Sequence, residues 1–567
     1  MSAGKCRAQR IRIRVGGRRS GVTTSAHRRL LGALAGLIAA GVALGVADLA
    51  AALVGPASSP VVAVGDAVIT LTPEGAKEFA IRTFGENDKV ALVVGTLILI
   101  ALYSLLLGLV ALRSRRVGAA GIALFGVVGA AAAVTRPAGG VLDALPSVLG
   151  ALAGVGALLA LLPPLTIPEQ ESALGGPEGA RATVDGGTAD QRTVGRLREV
   201  LGSMDRKGTG LDRRGFFVTS GVALGAAALT GGGGRLLQRR FDVAEARAGL
   251  ALPTPSSRAA ALPAEADLAE EIGGLTPLFT ANREFYRVDT AISVPQVRPA
   301  DYRLALRGMF DRPRSYTLDD LLGRDDVIER DITLTCVSNE VGGTLASSAR
   351  WIGVPLGGIL RENGIRPGSS QLVCRDVSGM TIGAPTRSAL DVEDAMLAFG
   401  MNGEPLPVEH GFPVRMLIPG LYGYVSACKW LASIEATTFD AFDAYWVERG
   451  WAAEAPIKIA SRIDTPAPLR QFPAGRRPIA GVAWAQTRGI ATVEVRVDDE
   501  DWAEAELSPE VDADLWRQWV LPYDFAAGRH SVTVRATSGD GEVQTDARAT
   551  PFPSGASGWH SIQVVAG

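Results

Sequence analysis

The 567-residue chain is poor in the residues that staple folds and ligate metals: four cysteines and four histidines. Cys6, Cys336, Cys374 and Cys428 form no CxxC pair and no zinc-type spacing, which argues against a disulfide framework and against a zinc finger. His27, His410, His530 and His560 fall outside the long apolar runs, and no CxxCH occurs, so haem ligands are lacking and no haem is expected. Charge is also scarce, at 20% of residues, and the net value of −2 gives no steering toward nucleic acid. Apolar residues make up 47% of the chain, which points to a partly membrane-embedded protein, and the length predicts several domains.

Four apolar runs, near 31–54, 90–112, 117–135 and 141–162, each approach the ~20 residues that cross ~30 Å of hydrocarbon. They predict an α-helical, four-helix membrane bundle over 31–163. Asp48 and Asp143 lie near the ends of their runs, where a carboxylate can reach the interface. Residues 1–30 form a basic tail with nine Lys and Arg and no acid, so the N-terminus is expected on the cytoplasmic side. Polar residues 164–214 predict a cytoplasmic connector. The segment LDRRGFFVTSGVALGAAALTGGGG, with Arg213 and Arg214, supports two readings of 215–234: a fifth membrane helix, or a twin-arginine-like export signal inside the chain. Either sends the following chain out of the cytoplasm, although Arg235, Arg239 and Arg240 run against the positive-inside tendency.

An Ala- and Pro-rich linker is expected over 241–264. Over 265–450, DYRLALRGM, RDITLTCV, QLVCRDV and PVRMLIPG have strand patterns, while TLDDLLGR and VPLGGILREN have helical ones, which predicts an α+β domain. Over 451–567, short alternating strands separated by turns predict a β-sandwich, with Trp484, Trp502, Trp516, Trp519 and Trp559 supplying core or interface area.

The stretch TLTCVSNEVGG places Cys336 at the end of a strand and before a glycine-ended turn, where a ligand can reach its sulfur. Further on, HGFPVRMLIPGLYGYVSACKWL combines a histidine, an arginine and a lysine with turn glycines, groups suited to a bound anion. With ARWIGVPL and MNGEPLPVEHGFPVRMLIPG, these segments resemble the sulfite oxidase family of molybdopterin-dependent oxidoreductases. The resemblance runs from about residue 275 to the C-terminus, and the β-rich tail resembles that family's immunoglobulin-like dimerisation domain.

The resemblance implies a molybdenum–molybdopterin cofactor with the Cys336 thiolate as catalytic metal ligand, a soft donor suited to a redox-active metal. It places His410, Arg415, Ser426, Cys428 and Lys429 on the pterin and its phosphate, Asp376 as a pterin-contacting acid, and Asn282, Phe285, Tyr286 and Arg287, in NREFYRVD, on the first pterin segment. The implied reaction is oxygen-atom transfer on a small sulfur-containing substrate, with electrons exchanged with an external cytochrome or quinone. A homodimer through the C-terminal domain is implied as well. The sulfoxide reductases of the family are the alternative, and a non-catalytic membrane receptor or binding module on the same fold is a second. One departure bears on substrate: sulfite oxidisers carry basic residues after the Cys–x–x–Asn segment, whereas this chain has Glu340 and Val341. A carboxylate there would repel sulfite unless Arg350 and Arg387 face the metal. The protein is expected in the cell membrane, multi-pass, with its catalytic domain on the extracytoplasmic side.

Overall fold

The computed structural model describes residues 20–73, 88–162, 213–238 and 242–567, with a few positions between 74 and 87. Residues 1–19 of the basic tail, Cys6, most of the 164–214 connector, Arg239 and Arg240 lie outside the described residues. The chain divides into two compact units, the second formed mainly by Phe241–Gly567.

The first unit is helical: α1 (Ser20–Val54), α2 (Pro60–Leu71), α3 (Asp88–Ala111), α4 (Arg115–Val134), α5 (Leu145–Leu161) and α6 (Arg213–Gln238). Five segments, Ala26–Val54, Lys89–Ala111, Arg115–Val134, Val141–Leu161 and Gly215–Gln238, are long and apolar enough to cross a membrane. The sequence predicts a loop between the first two runs. The structure forms α2 there, 12 residues long and too short to cross. Small residues let the helix backbones touch. A Cβ on Gly36 would lie 2.0 Å from the Ser104 carbonyl oxygen, and one on Gly150 would lie 2.6 Å from that of Ala43. α6 packs on α1 in the same way, because a Cβ on Gly45 would meet Thr230 and Ala227. Asp48 accepts a hydrogen bond from Ser59 at 3.0 Å, and Asp143 accepts one from the Gly140 amide at 2.8 Å.

The second unit begins with two sheets. One runs β2-β1-β10-β5-β6, from β1 (Arg303–Gly308), β2 (Ser315–Thr317), β5 (Gln371–Asp376), β6 (Thr381–Pro385) and β10 (Leu431–Thr437). The other runs β3-β4-β7-β8 with β9 beside β7, from β3 (Ile328–Thr335), β4 (Ala346–Pro355), β7 (Met396–Met401), β8 (Glu404–Pro405) and β9 (Arg415–Leu417). β7 is buried along its whole length, which its unbroken apolar sequence MLAFGM permits. β3 ends, and β9 begins, at the cavity described below.

The C-terminal part has two further sheets. The first contains β11 (Ala460–Thr465), β13 (Gly475–Trp484), β16 (Glu506–Leu507) and β17 (Arg517–Phe525). The second contains β12 (Gln471–Phe472), β14 (Ile490–Val497), β15 (Ala503–Glu504), β18 (Gly528–Ser538) and β19 (His560–Ala566). They share one core, in which Ile479 and Trp519 of the first sheet meet Val493, Val532 and Val564 of the second. The period-two alternation of β18 puts Val532, Val534 and Ala536 inward. The tryptophans divide by location. Trp519 lies in this core, whereas Trp484 and Trp516 pack into the core of the preceding sheets. Trp502 and Trp559 stack edge-on at 5.0 Å, with Arg496 and Arg535 over their rings.

Trp519→Ala should lower the unfolding free energy of this core by ~3–5 kcal/mol, read as an earlier urea midpoint. A midpoint within error of wild type would show that the two sheets do not depend on this contact.

Candidate active site

Cys336 directly follows β3, whose pairing with β4 fixes where the strand ends. Its N–H donates to the Leu345 carbonyl at 2.9 Å, and its own carbonyl accepts from the Asn339 amide at 3.0 Å. The Asn339 side chain accepts from the Leu345 amide at 2.8 Å and closes the turn. Burial pushes the thiol pKa up, against hydrogen bonds from Ser338. Without a metal the sulfur is therefore held protonated, and a bound metal would displace the proton.

The thiol faces a cavity of about 150 Å³. Eight of the residues singled out in the sequence line it: Phe285, Tyr286, Cys336, Asp376, His410, Arg415, Cys428 and Lys429. Phe285 and Tyr286 stack at 5.5 Å, and Phe285 meets the His410 ring edge-on at 5.3 Å. His410 Nε2 lies 3.0 Å from the Asn282 carbonyl, an acceptor that fixes the proton on Nε2. Burial, reinforced by the charges of Arg415, Lys429 and Arg287, holds its pKa down at about 4, so the ring is neutral at pH 7.

Arg415 opens β9 and is 4% exposed. It donates from Nη1 to the His410 carbonyl at 3.1 Å and lies over the Trp351 ring at 5.1 Å. Its Nε is buried with no hydrogen-bond partner among the described residues. Burial pushes its pKa down to about 10. A guanidinium held this way keeps donor capacity for something the cavity is built to receive. Lys429 Nζ pairs with Asp289 at 2.5 Å and donates to the Glu409 carbonyl at 3.3 Å. Burial lowers its pKa to about 8, with Asp289 opposing. Asp376, at the end of β5, accepts from the amides of Ser378 and Met380, yet burial still raises its pKa to about 6.

Three singled-out residues do not line the cavity. Asn282 donates to Glu404 and accepts from Asn402, so only its carbonyl serves the site, through His410. The Arg287 side chain pairs with Asp289 at 2.8 Å and reaches the cavity only through that partner. Ser426 is fully buried, and its hydroxyl donates to the Leu421 and Tyr422 carbonyls, the usual fate of a serine in a short helical turn. Cys374 and Cys428 both belong to the core, but only Cys428 also lines the cavity; Cys374 sits beside Met416. The residue missed is Asp289, which links Arg287 to Lys429 from two positions after Arg287. An acid beside an anion-binding arginine is the signal that marks it. Tyr424, Trp446 and Trp451, which complete the cavity wall, carry no signal that separates them from core aromatics.

The substrate-related residues also find places. Glu340 is exposed and belongs to a different, smaller cavity. Arg350 forks Asp331 at 2.8 and 2.7 Å, and Arg387 is 92% exposed and pairs with Asp391. Neither arginine lines the cavity that holds Cys336.

Residues 291–446 match the oxidoreductase molybdopterin binding domain family. Mitochondrial sulfite oxidase of Mus musculus is 30% identical over 325 residues, covering 48% of this chain and 59% of that protein. Sulfite oxidase of Gallus gallus is 28% identical, covering 48% and 70%. The sulfane dehydrogenase SoxCD structure from Paracoccus pantotrophus has a TM-score of 0.43 and 24% identity, covering 48% of this chain and 75% of that one. The chain thus spans 59% of the length of the mouse protein. The donor set fits the cofactor that such a domain binds. It offers one thiol for a soft metal, and a buried guanidinium and an ammonium for an anionic pterin.

Two outcomes follow. Arg415→Met should leave the cofactor-free protein within about 1 kcal/mol of wild type or more stable, while cutting pterin retention at least ~10-fold; thermal melts and pterin assay read both, and a strongly destabilised variant would make Arg415 structural. Because the folded pKa of His410 is depressed, its neutral ring contributes stability that is complete above about 6.5 and is lost as pH falls toward about 4. The stability gap between wild type and His410→Gln should therefore shrink over that window by up to ~3 kcal/mol, measured by denaturation at each pH; a constant gap would contradict the buried neutral ring.

Proposed function

We propose that the chain is a member of the sulfite oxidase family of molybdopterin-dependent oxidoreductases and a membrane-anchored enzyme transferring an oxygen atom on a small sulfur-containing substrate. One observation carries the reading: a buried thiol shares one cavity with a buried arginine whose Nε has no hydrogen-bond partner among the described residues. Cys336 would hold the molybdenum, and Arg415, Lys429 and His410 would hold the pterin and its phosphate. When bound, the cofactor would supply an oxygen atom transferable to or from sulfur and a metal that changes oxidation state by two electrons.

The chain's own groups do the rest. Asp289 keeps the Lys429 ammonium pointed along the cavity wall. Neutral His410 anchors the Arg415 guanidinium through its carbonyl while adding no charge. Asp376, with its pKa near 6, can hold or release a proton at its carboxylate when oxygen is exchanged with water. Tyr424, Trp446 and Trp451 exclude bulk water and present an apolar face.

Five apolar helices serve as the anchor, with the second unit on the extracytoplasmic side. The packing of α6 on α1 supports a fifth span over a twin-arginine-like export signal. The C-terminal pair of sheets is read as an immunoglobulin-like, dimerisation-type domain supporting a homodimer. Electrons pass to or from a separate cytochrome or a quinone.

A second reading, reduction of an uncharged sulfoxide, is favoured by a specific observation. Arg415 and Lys429 are the only Arg or Lys among the described lining residues, and both are assigned to the cofactor. That leaves no cation for a sulfite dianion, while the aromatic wall suits a neutral, apolar sulfur compound.

Expression with molybdate should yield near-stoichiometric molybdenum and pterin in wild type, and Cys336→Ser should lose activity even where pterin is retained. Folded wild-type protein devoid of molybdenum would overturn the proposal. Under the second reading, dimethyl sulfoxide with a reduced donor turns over faster than sulfite with an oxidised acceptor; the reverse order restores sulfite.

A further inference from the structure

Among the described contacts, the tip of the loop that follows Cys336 is held from the C-terminal sheets. The loop closes its own base through Cys336, Asn339 and Leu345. At its tip, Arg462 of β11 donates from Nη1 to the Gly343 carbonyl at 3.0 Å. The same guanidinium donates to Thr276 at 2.8 Å and to Asp464 at 2.6 Å, and the Arg462–Asp464 pair is only 7% exposed on each side. Gly342, with φ of 79°, presses on His560 of β19 so closely that a Cβ would lie 2.3 Å from the imidazole. His560 is itself fixed by the Ile463 amide, which donates to its Nδ1 at 3.0 Å.

The strand leading into the thiol is held from the same direction. The Thr333 amide donates to the Asp514 carbonyl at 2.9 Å, its hydroxyl accepts from the Trp516 amide at 2.8 Å, and its carbonyl accepts from Gln486. Cys336 therefore sits between two segments that the C-terminal part holds by hydrogen bonds, in addition to the pairing of β3 with β4. A buried arginine–aspartate pair is a weak source of stability, and an apolar pair of similar volume would pack about as well. Here one arm of the guanidinium is directed at the backbone of the metal-binding loop. A thiol ligand needs placement within about half an ångström, which supporting hydrogen bonds provide.

We infer that the C-terminal sheets are an integral part of the thiol site, with Arg462 the positioning residue that holds the Cys336 loop in its ligating conformation. This rests on the molybdenum reading above, yet it has a readout that needs no metal. Full-length protein made without molybdate is treated with iodoacetamide, and the alkylation rate of Cys336 is followed by peptide mass spectrometry. Two variants release the loop from different sides: Arg462→Met with Asp464→Asn, which removes the pair without leaving a buried charge, and Gly342→Ala, which pushes the loop off His560.

Both variants should alkylate Cys336 at least fivefold faster than wild type while Cys374 is unchanged. After expression with molybdate, both should retain less than half the wild-type molybdenum, and Arg462→Lys should recover most of it. A rate increase below fivefold in either variant overturns the inference. So does a failure of both variants to fold, which would make the contacts purely structural. Wild-type protein that never takes up molybdenum, with the fivefold acceleration intact, would instead defeat the functional reading and leave the positioning role standing.

Discussion

The constraint on which the site depends is the burial of charge without full compensation. Arg415 is removed from water, depressed in pKa, and left with a donor that no described residue meets. Its neighbours limit the cost. The Trp351 ring lies against its face, the His410 carbonyl takes one donor, and His410 stays uncharged. Lys429 is handled differently, since Asp289 neutralises it directly. A fold selected for stability alone would place an apolar residue at position 415. The retained cation, beside a thiol at a strand end, makes sense if an anionic, metal-bearing group completes the cavity.

The architecture serves that requirement. β3 and β9 come from one sheet and deliver Cys336 and Arg415 to the same cavity, while β5 of the neighbouring sheet delivers Asp376. The C-terminal sheets have their own core, yet Trp484 and Trp516 leave it to pack with the preceding sheets. That division ties the β-rich tail to the thiol strand. In the helical unit, glycines at α1 crossings allow close backbone contact where larger side chains would separate the helices.

Much of this was legible because the signals are local. The helical unit showed as long uncharged runs, and strands such as β18 showed as alternation. Cys336, His410 and Arg415 stood in short motifs that resemble those of the sulfite oxidase family, and the sheet holding β3 and β9 brings them to one cavity. The rest was not legible because side-chain direction is decided by partners distant in sequence. Ser426 is engaged by its own turn, Asn282 by Glu404 and Asn402, and Arg287 by Asp289. Asp289 is marked in the sequence only as an acid beside Arg287; its pairing with Lys429, 140 residues away, needs the fold. The tryptophans were visible as buried area, but periodicity could not say which of two cores each would join. Arg350 shows the same limit, since only the fold reveals that Asp331 already holds it.

The proposal stands or falls on whether the Cys336 sulfur binds molybdenum inside this cavity. An experimental structure of the full-length protein, made with molybdate and purified without reducing the cofactor, tests it most directly. Metal density should be found bonded to Cys336 Sγ, with the attached organic group hydrogen-bonded to Arg415 Nε. A cavity that contains only solvent, or a metal bound away from Sγ with Arg415 turned elsewhere, would contradict it.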